Sequence, residues 1–110
     1  MSQFLRLRLL SLALTVQAVI LETVTFEAAS CNAVTEGCAW AVSNAVSRTT
    51  GLDVIFGAGT YNFTETAWIQ NASSLVLRGE EGAVISGWGL VGAFHFENVH
   101  TLTLRSLVVD

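Results

Sequence analysis

The chain has 110 residues, of which 52% are hydrophobic and 13% are charged, and its formal net charge at pH 7 is −4. This length allows at most one domain. All five basic residues are arginines scattered along the chain, which excludes the basic stripe of a nucleic-acid-binding surface. There is no proline, so the turns must depend on glycine, asparagine and serine.

The first 18 residues have the pattern of a secretory signal peptide. Arg6 and Arg8 form a positive region ahead of an apolar run, and Val16 and Ala18 place suitable residues at positions −3 and −1, so cleavage is predicted after Ala18. The alternatives are a buried strand or helix, or an uncleaved anchor. The apolar stretch 9–21 contains polar residues and is short for a membrane span, which needs about 20 apolar residues. The protein is therefore predicted to be secreted or at the extracellular surface, with membrane contact only through the secretion signal.

Two further features fit a secretory route. Cys31 and Cys38 are the only cysteines, and in an oxidising compartment they are predicted to form one small-loop disulfide. Two thiols are too few for a closed zinc site. Asn62 and Asn71 each begin an N-glycosylation sequon, so both are candidate glycosylation sites and the protein a candidate glycoprotein.

The spacing of apolar residues predicts a helix over 35–50. One face carries apolar residues at intervals of three and four, namely Cys38, Val42, Ala45 and Val46. Thr35 is the predicted N-cap, and Gly51 stands where a left-handed residue would end the helix. A single amphipathic helix must bury this face on the segment that follows it.

After Gly51 the sequence predicts a series of short strands separated by turns. An internal repeat with an offset of 27 residues places Leu75 on Leu102, Leu77 on Leu104 and Asn71 on Asn98. An antiparallel meander and a stack of parallel strands both remain open, and a repeat that keeps its strands while its turns vary favours the parallel stack. Asn71 would then form a ladder with Asn98 at a corner, and a glycan on Asn71 would compete with that ladder.

The order of these segments resembles the start of right-handed parallel β-helices of the pectin-lyase-like superfamily. The resemblance covers about residues 36–110 and rests on five matching segments: Ala39–Val46, Val54–Phe56, Gly59-Thr60-Tyr61, Leu75–Gly79 and Val84–Gly87. The proline that usually precedes Gly-Thr-Tyr is replaced by Ala58. The resemblance implies an all-β fold, a right-handed parallel β-helix of about two to three coils with an N-terminal capping α-helix, preceded by a signal peptide. The chain would divide into a signal peptide (1–18), a cysteine-containing segment with the capping helix (19–50) and incomplete β-helix coils (51–110).

Lyases of this superfamily use a basic residue beside a calcium site, which draws attention to Arg78 and Arg105 on one predicted outer face. We interpret both as surface arginines paired with nearby glutamates, because Asp53 and Asp110 are predicted at opposite ends of the coils and supply no calcium site. The adjacent Glu80 and Glu81 lie in a predicted loop, whereas a hydrolase needs two carboxylates that face each other.

His95 and His100 have no further metal ligand at suitable spacing. The sequence therefore predicts no catalytic residue, no metal and no cofactor. Trp88, which lies between Gly87 and Gly89, is a candidate for stacking against a carbohydrate, since an indole combines an apolar face with a polar edge. Trp40 and Trp68 are interpreted as packing residues.

The predicted function is that of a non-catalytic secreted or cell-surface β-helix repeat protein, acting in adhesion or carbohydrate contact. One alternative is the N-terminal part of a pectin-lyase-like lyase or hydrolase whose active site lies downstream. Another is a truncated product without independent function. The expected partners are a polysaccharide or cell-surface glycan, and further β-helix coils or a protein covering the edge Leu102–Val109.

Overall fold

A computed structural model of the chain describes residues 22–46 and 51–110. The predicted signal peptide, residues 1–18, lies outside the described residues, as does the predicted last turn of the helix, residues 47–50.

Within the described ranges the chain forms nine strands and three helices. The strands are β1 (Glu22–Phe26), β2 (Gly51–Phe56), β3 (Gly59–Asn62), β4 (Ala67–Gln70), β5 (Ser74–Gly79), β6 (Ala83–Ser86), β7 (Phe94–Glu97), β8 (Thr101–Arg105) and β9 (Val108–Val109). The helices are α1 (Ala28–Asn32), α2 (Cys38–Val46) and α3 (Gly89–Ala93). None of these helices is long and apolar enough to cross a membrane.

The strands form three sheets, with strand orders β1-β2-β5-β8, β3-β6-β9 and β4-β7. Every strand pair within the described residues is parallel, which excludes the antiparallel meander. Leu75 pairs with Leu102 and Leu77 with Leu104, so the sequence repeat of 27 residues is confirmed as the register between β5 and β8.

The prediction of an all-β, right-handed parallel β-helix is wrong. The described residues contain three helices, and the strands form three separate sheets of four, three and two strands, with no closed or solenoid sheet. The backbone ladders stop at turns such as Asn71, whose φ is 58°. The segment between β6 and β7 forms α3 instead of a plain turn. Alternation of apolar residues predicts strands but does not show whether neighbouring sheets join.

The predicted helix is confirmed in its central part. It begins at Cys38 rather than near Thr35, because Gly37 before it has a φ of 107° and therefore a non-helical backbone. Cys38, Val42 and Val46 are fully buried, as the predicted apolar face requires. The segment before this helix also contributes β1, which the sequence did not predict and which pairs with β2.

The core is formed by the inward positions of the strands. In β2 the buried residues are Leu52, Val54 and Phe56, each separated by a half-exposed residue, which is the alternation of a strand covered on one face. At the end of this strand the ring of Phe56 contacts the rings of Phe26 and Tyr61, with centroid distances of 5.5 and 5.2 Å.

The Tyr61 hydroxyl lies 2.9 Å from the carbonyl oxygen of Phe26 and 2.8 Å from that of Gly57, and shares its proton between them. Burial, with a smaller contribution from the charges of Glu27 and Glu80, raises the pKa of Tyr61 above its ordinary value of 10.0. The neutral phenol therefore ties β1 to the turn between β2 and β3.

Asn71 and Asn98 occupy equivalent corners with left-handed backbones, at φ values of 58° and 56°. The side-chain amide of Asn98 donates a hydrogen bond of 2.7 Å to Oδ1 of Asn71. The predicted asparagine ladder is therefore confirmed. Asparagine suits these corners because it tolerates the left-handed region better than other non-glycine residues.

Candidate functional site

An open pocket of 480 Å³ lies beside Trp88. It is lined by Asn62, Phe63, Thr64, Ser86, Gly87, Trp88 and Asp110. Asn62 and Ser86 are the last residues of β3 and β6, and Asp110 directly follows β9. Because parallel strands point the same way, their carboxyl ends meet at one edge of the sheet, and the pocket is built at that edge.

Trp88 is held out from the surface by a turn with two backbone anchors. The N–H groups of Gly87 and Gly89 donate to the backbone oxygen of Asp110, at 3.2 and 3.0 Å. Gly89 has a φ of 78°, a conformation that favours glycine. The result is a tryptophan that is 69% exposed, so its prediction as an exposed aromatic residue is confirmed in position, while its ligand remains to be tested.

The Trp88 side chain also rests on α3. A methyl group on Gly92 would lie 2.6 Å from Cβ of Trp88 and 3.4 Å from its ring carbon Cε3. Contacts under about 3.4 Å between carbon atoms are repulsive, so Trp88 can take this position only because residue 92 is glycine. This requirement was not apparent in the sequence, where GLVGA looks like an ordinary apolar turn.

The polar groups of the pocket are hydroxyls, an amide and a carboxylate, from Thr64, Ser86, Asn62 and Asp110. None of the described residues that line the pocket carries a positive charge. This combination can hydrogen-bond a ligand rich in hydroxyl groups beside an aromatic face, and it disfavours an anionic ligand because Asp110 would repel it.

The two asparagines of the sequons differ in their surroundings. Asn62 lies on the pocket, and its backbone N–H donates to Oδ1 of Asn32 at 2.9 Å. Asn71 is exposed on a corner and its Oδ1 accepts the hydrogen bond from Asn98. Both side chains are therefore accessible from solvent, and Asn62 alone of the two lines the pocket.

The structure places the predicted arginine pair on one face but gives Arg78 a partner that the sequence did not predict. Arg78 donates from Nε and one terminal nitrogen to both carboxylate oxygens of Asp53, at 2.9 and 3.0 Å. Their strands are neighbours in the sheet, so the predicted separation of Asp53 from the arginines is wrong. Among the described residues no group of three His, Cys, Asp or Glu could hold a metal ion.

Trp68 and Trp40 are not the packing residues that the sequence predicted. Trp68 is 49% exposed and Trp40 is 42% exposed. In β4 the buried residues are Ala67 and Ile69, so Trp68 occupies an outward position between them. Strict alternation along AWIQ would have found this, because it assigns Trp68 and Gln70 to the same face.

The Cys31–Cys38 disulfide is confirmed, and both cysteines are buried beside α1 and α2. The two histidines lie on the surface; His95 contacts the ring of Trp68, with a centroid distance of 3.9 Å. Neither histidine lines the pocket at Trp88.

No protein-family model, no curated protein and no solved structure matches the chain. The resemblance to the pectin-lyase-like superfamily therefore stays a prediction.

Proposed function

We propose that the protein is a secreted or cell-surface protein that binds a neutral, hexose-based polysaccharide in the pocket at Trp88 without cleaving it. The observation that carries this proposal is the 69% exposed indole of Trp88 at the rim of a 480 Å³ pocket lined with hydroxyl, amide and carboxylate groups. The C–H-rich face of a pyranose packs on an aromatic ring, and its hydroxyl groups both donate and accept hydrogen bonds.

The charge of the pocket selects between neutral and acidic glycans. A polyuronate would bring carboxylates next to Asp110, with no cation among the described lining residues to compensate. Like charges at short distance repel, most strongly where water is partly excluded. A neutral glycan can instead donate a hydroxyl to the Asp110 carboxylate, a bond to a charged group that is stronger than one between neutral groups.

Binding without cleavage is supported by the carboxylates around the pocket. A glycosidase needs two carboxyl groups on opposite sides of the scissile bond. Among the described residues that line this pocket, Asp110 is the one that carries a carboxylate. Glu80 and Glu81, the other predicted candidates, lie in the turn between β5 and β6.

A secretory route is supported by the disulfide, since such bonds persist in oxidising compartments, and by the predicted leader. The structure also removes the conflict between glycosylation and the asparagine ladder. N-glycosylation takes place on Nδ2, whereas Asn71 uses Oδ1 to accept the bond from Asn98. Asn71 can therefore carry a glycan while the ladder stays intact, and enzymatic deglycosylation of the secreted protein should lower its mass unless Asn71 is replaced by Gln.

Isothermal titration calorimetry of the full chain, secreted from a eukaryotic host, tests the proposed function. The ligands are neutral hexaoses of glucose, mannose and N-acetylglucosamine, and polygalacturonate is the acidic counterpart. We expect at least one neutral hexaose to bind and Trp88→Ala to weaken it by about ten-fold or more, which corresponds to about 1.4 kcal/mol. Trp40→Ala is the matched control, because Trp40 is exposed on α2 and does not line the pocket.

Two results would contradict the proposal. If a correctly folded Trp88→Ala variant binds the hexaose as tightly as the original protein, the pocket is not the site. If polygalacturonate binds and the neutral hexaoses do not, the argument from the charge of Asp110 is wrong.

A further inference from the structure

Four polar or aromatic side chains form an array on the outer face of the sheet β4-β7. The strand register pairs Trp68 with His95 and Gln70 with Glu97. These four residues, called the outer array below, are all exposed. The alternate positions point into the core, where Ala67, Ile69 and Phe94 are buried.

The members of the outer array contact one another. The rings of Trp68 and His95 have a centroid distance of 3.9 Å. Gln70 donates from Nε2 to Oε1 of Glu97 at 2.9 Å, and Nε2 of His95 lies 3.6 Å from the other carboxylate oxygen, Oε2. The array thus combines an aromatic surface with an amide and a carboxylate, the same types of group that line the pocket at Trp88.

The backbone of Trp68 is held from both sides. Its N–H donates to Oγ of Ser43 on α2 at 2.8 Å, and that hydroxyl donates to the carbonyl oxygen of Trp68 at 2.7 Å. On the other side β4 pairs with β7. A ring that is 49% exposed on an anchored backbone is already in place before a ligand arrives, which lowers the entropic cost of binding.

The outer array and the pocket at Trp88 are close in the fold. The five residues of α3 connect Trp88 to β7, and their length is about 7.5 Å at about 1.5 Å per residue. With the flanking extended steps of about 3.6 Å each, the Cα atoms of Trp88 and His95 lie within about 20 Å of each other. Thr66 just before β4 donates to the carbonyl oxygen of Gly92 at 2.7 Å, which ties α3 to this sheet.

We propose that the outer array is a second sugar-binding site, which takes another unit of the polysaccharide chain bound at Trp88. This inference rests on the proposed function. A glycan fits the array better than an anionic chain, because the charged acceptor there is Glu97 and its nearest cation is a histidine rather than an arginine. Two linked sites on one chain raise the effective concentration for the second contact, so an extended chain binds more tightly than a short one.

The test compares a neutral disaccharide with the hexaose of the same sugar by calorimetry on the full chain. For the original protein we expect the hexaose to bind about one hundred-fold more tightly than the disaccharide, within the range that two linked sites provide. Trp68→Ala should remove about ten-fold or more of this advantage. Glu97→Ala changes an exposed side chain and should act in the same direction, so the test holds even if Trp68→Ala folds poorly. Trp40→Ala is the control.

The possible failures are distinguishable. If Trp88→Ala weakens binding but neither Trp68→Ala nor Glu97→Ala changes the hexaose affinity, the second site is refuted and the proposed function stands. If no neutral glycan binds the original protein, both are refuted. If Trp68→Ala instead changes the sedimentation of the free protein without changing glycan binding, the outer array is a protein contact and the inference is wrong.

Discussion

Leu77→Ala and Leu104→Ala change the same residue type in two neighbouring strands, and the structure predicts different costs. Leu77 is fully buried in β5, where the register places it between Val54 and Leu104. Leu104 in β8 is 41% exposed. The two residues occupy equivalent positions of the repeat, so their comparison separates burial from residue type.

The magnitudes follow from the carbon atoms removed. Leucine to alanine removes three carbons, worth about 2.4 kcal/mol at about 0.8 kcal/mol per fully buried group. At Leu77 the cavity left behind adds to this, and losses of about 3–5 kcal/mol are typical. At Leu104 about three-fifths of the side chain is buried, and solvent can fill the space, so the loss should be about 1.5 kcal/mol.

Urea unfolding followed by circular dichroism measures both variants, because the midpoint shift at constant slope reports the change in the free energy of unfolding. The total stability of a domain is only about 5–15 kcal/mol, so Leu77→Ala should lower the midpoint strongly. The reasoning is refuted if Leu104→Ala costs as much as Leu77→Ala, or if Leu77→Ala costs less than about 1 kcal/mol.

Three other predictions concern the disulfide, the tyrosine and the turn under Trp88. Replacing Cys31 and Cys38, which are seven residues apart, with serine should lower the free energy of unfolding by about 2.5 kcal/mol through the entropy of the open chain, measured by urea unfolding. Tyr61→Phe should cost about 1 kcal/mol at neutral pH, because the hydroxyl bond is lost. The raised pKa of Tyr61 means that its contribution to stability is complete below the ordinary value of 10.0 and is lost as the pH rises through the higher folded value; urea unfolding at both pH values measures this, and Phe should lack the alkaline loss. Gly92→Ala should displace Trp88, whose Cβ would lie 2.6 Å from the new methyl, and should weaken hexaose binding in calorimetry.

Each of these predictions has its own control. Reducing agent should destabilise the original protein and leave the serine variant unchanged; an equal effect on both would contradict the first. Tyr61 is the one tyrosine of the chain, so the absorbance of its phenolate reports its titration directly, and a titration at or below 10.0 would contradict the second. Gly82→Ala, in the turn before β6 and away from the pocket, is the control for Gly92→Ala, and unchanged hexaose binding in Gly92→Ala would contradict the third.

Much of the strand arrangement could be predicted from the sequence because it depends on local patterns. The alternation of apolar residues located the strands after Gly51, and the match of Leu75 and Leu77 with Leu102 and Leu104 predicted their pairing. The small loop between Cys31 and Cys38 predicted the disulfide. These patterns are carried by neighbouring residues, so they need no knowledge of the rest of the fold.

The remainder depends on contacts between distant residues. Three separate sheets and the helix α3 could not be distinguished from a continuous β-helix by alternation alone. The ion pair of Arg78 with Asp53 joins residues 25 positions apart, and the sequence suggested nearer glutamates. At the site, exposure of Trp88 was predicted from its flanking glycines, whereas the roles of Gly92 and Asp110 depend on how α3 and β9 meet the sheet.

The central claim is that neutral glycan binds at Trp88 and extends to the outer array. The three tryptophans allow a direct measurement, because each indole N–H gives one cross-peak in a ¹H–¹⁵N correlation spectrum, assignable with Trp→Phe variants. On titration with the neutral hexaose, the account predicts that the cross-peaks of Trp88 and Trp68 shift with the same apparent affinity while that of Trp40 stays in place. A hexaose that shifts none of them, or shifts Trp40 alone, would contradict it.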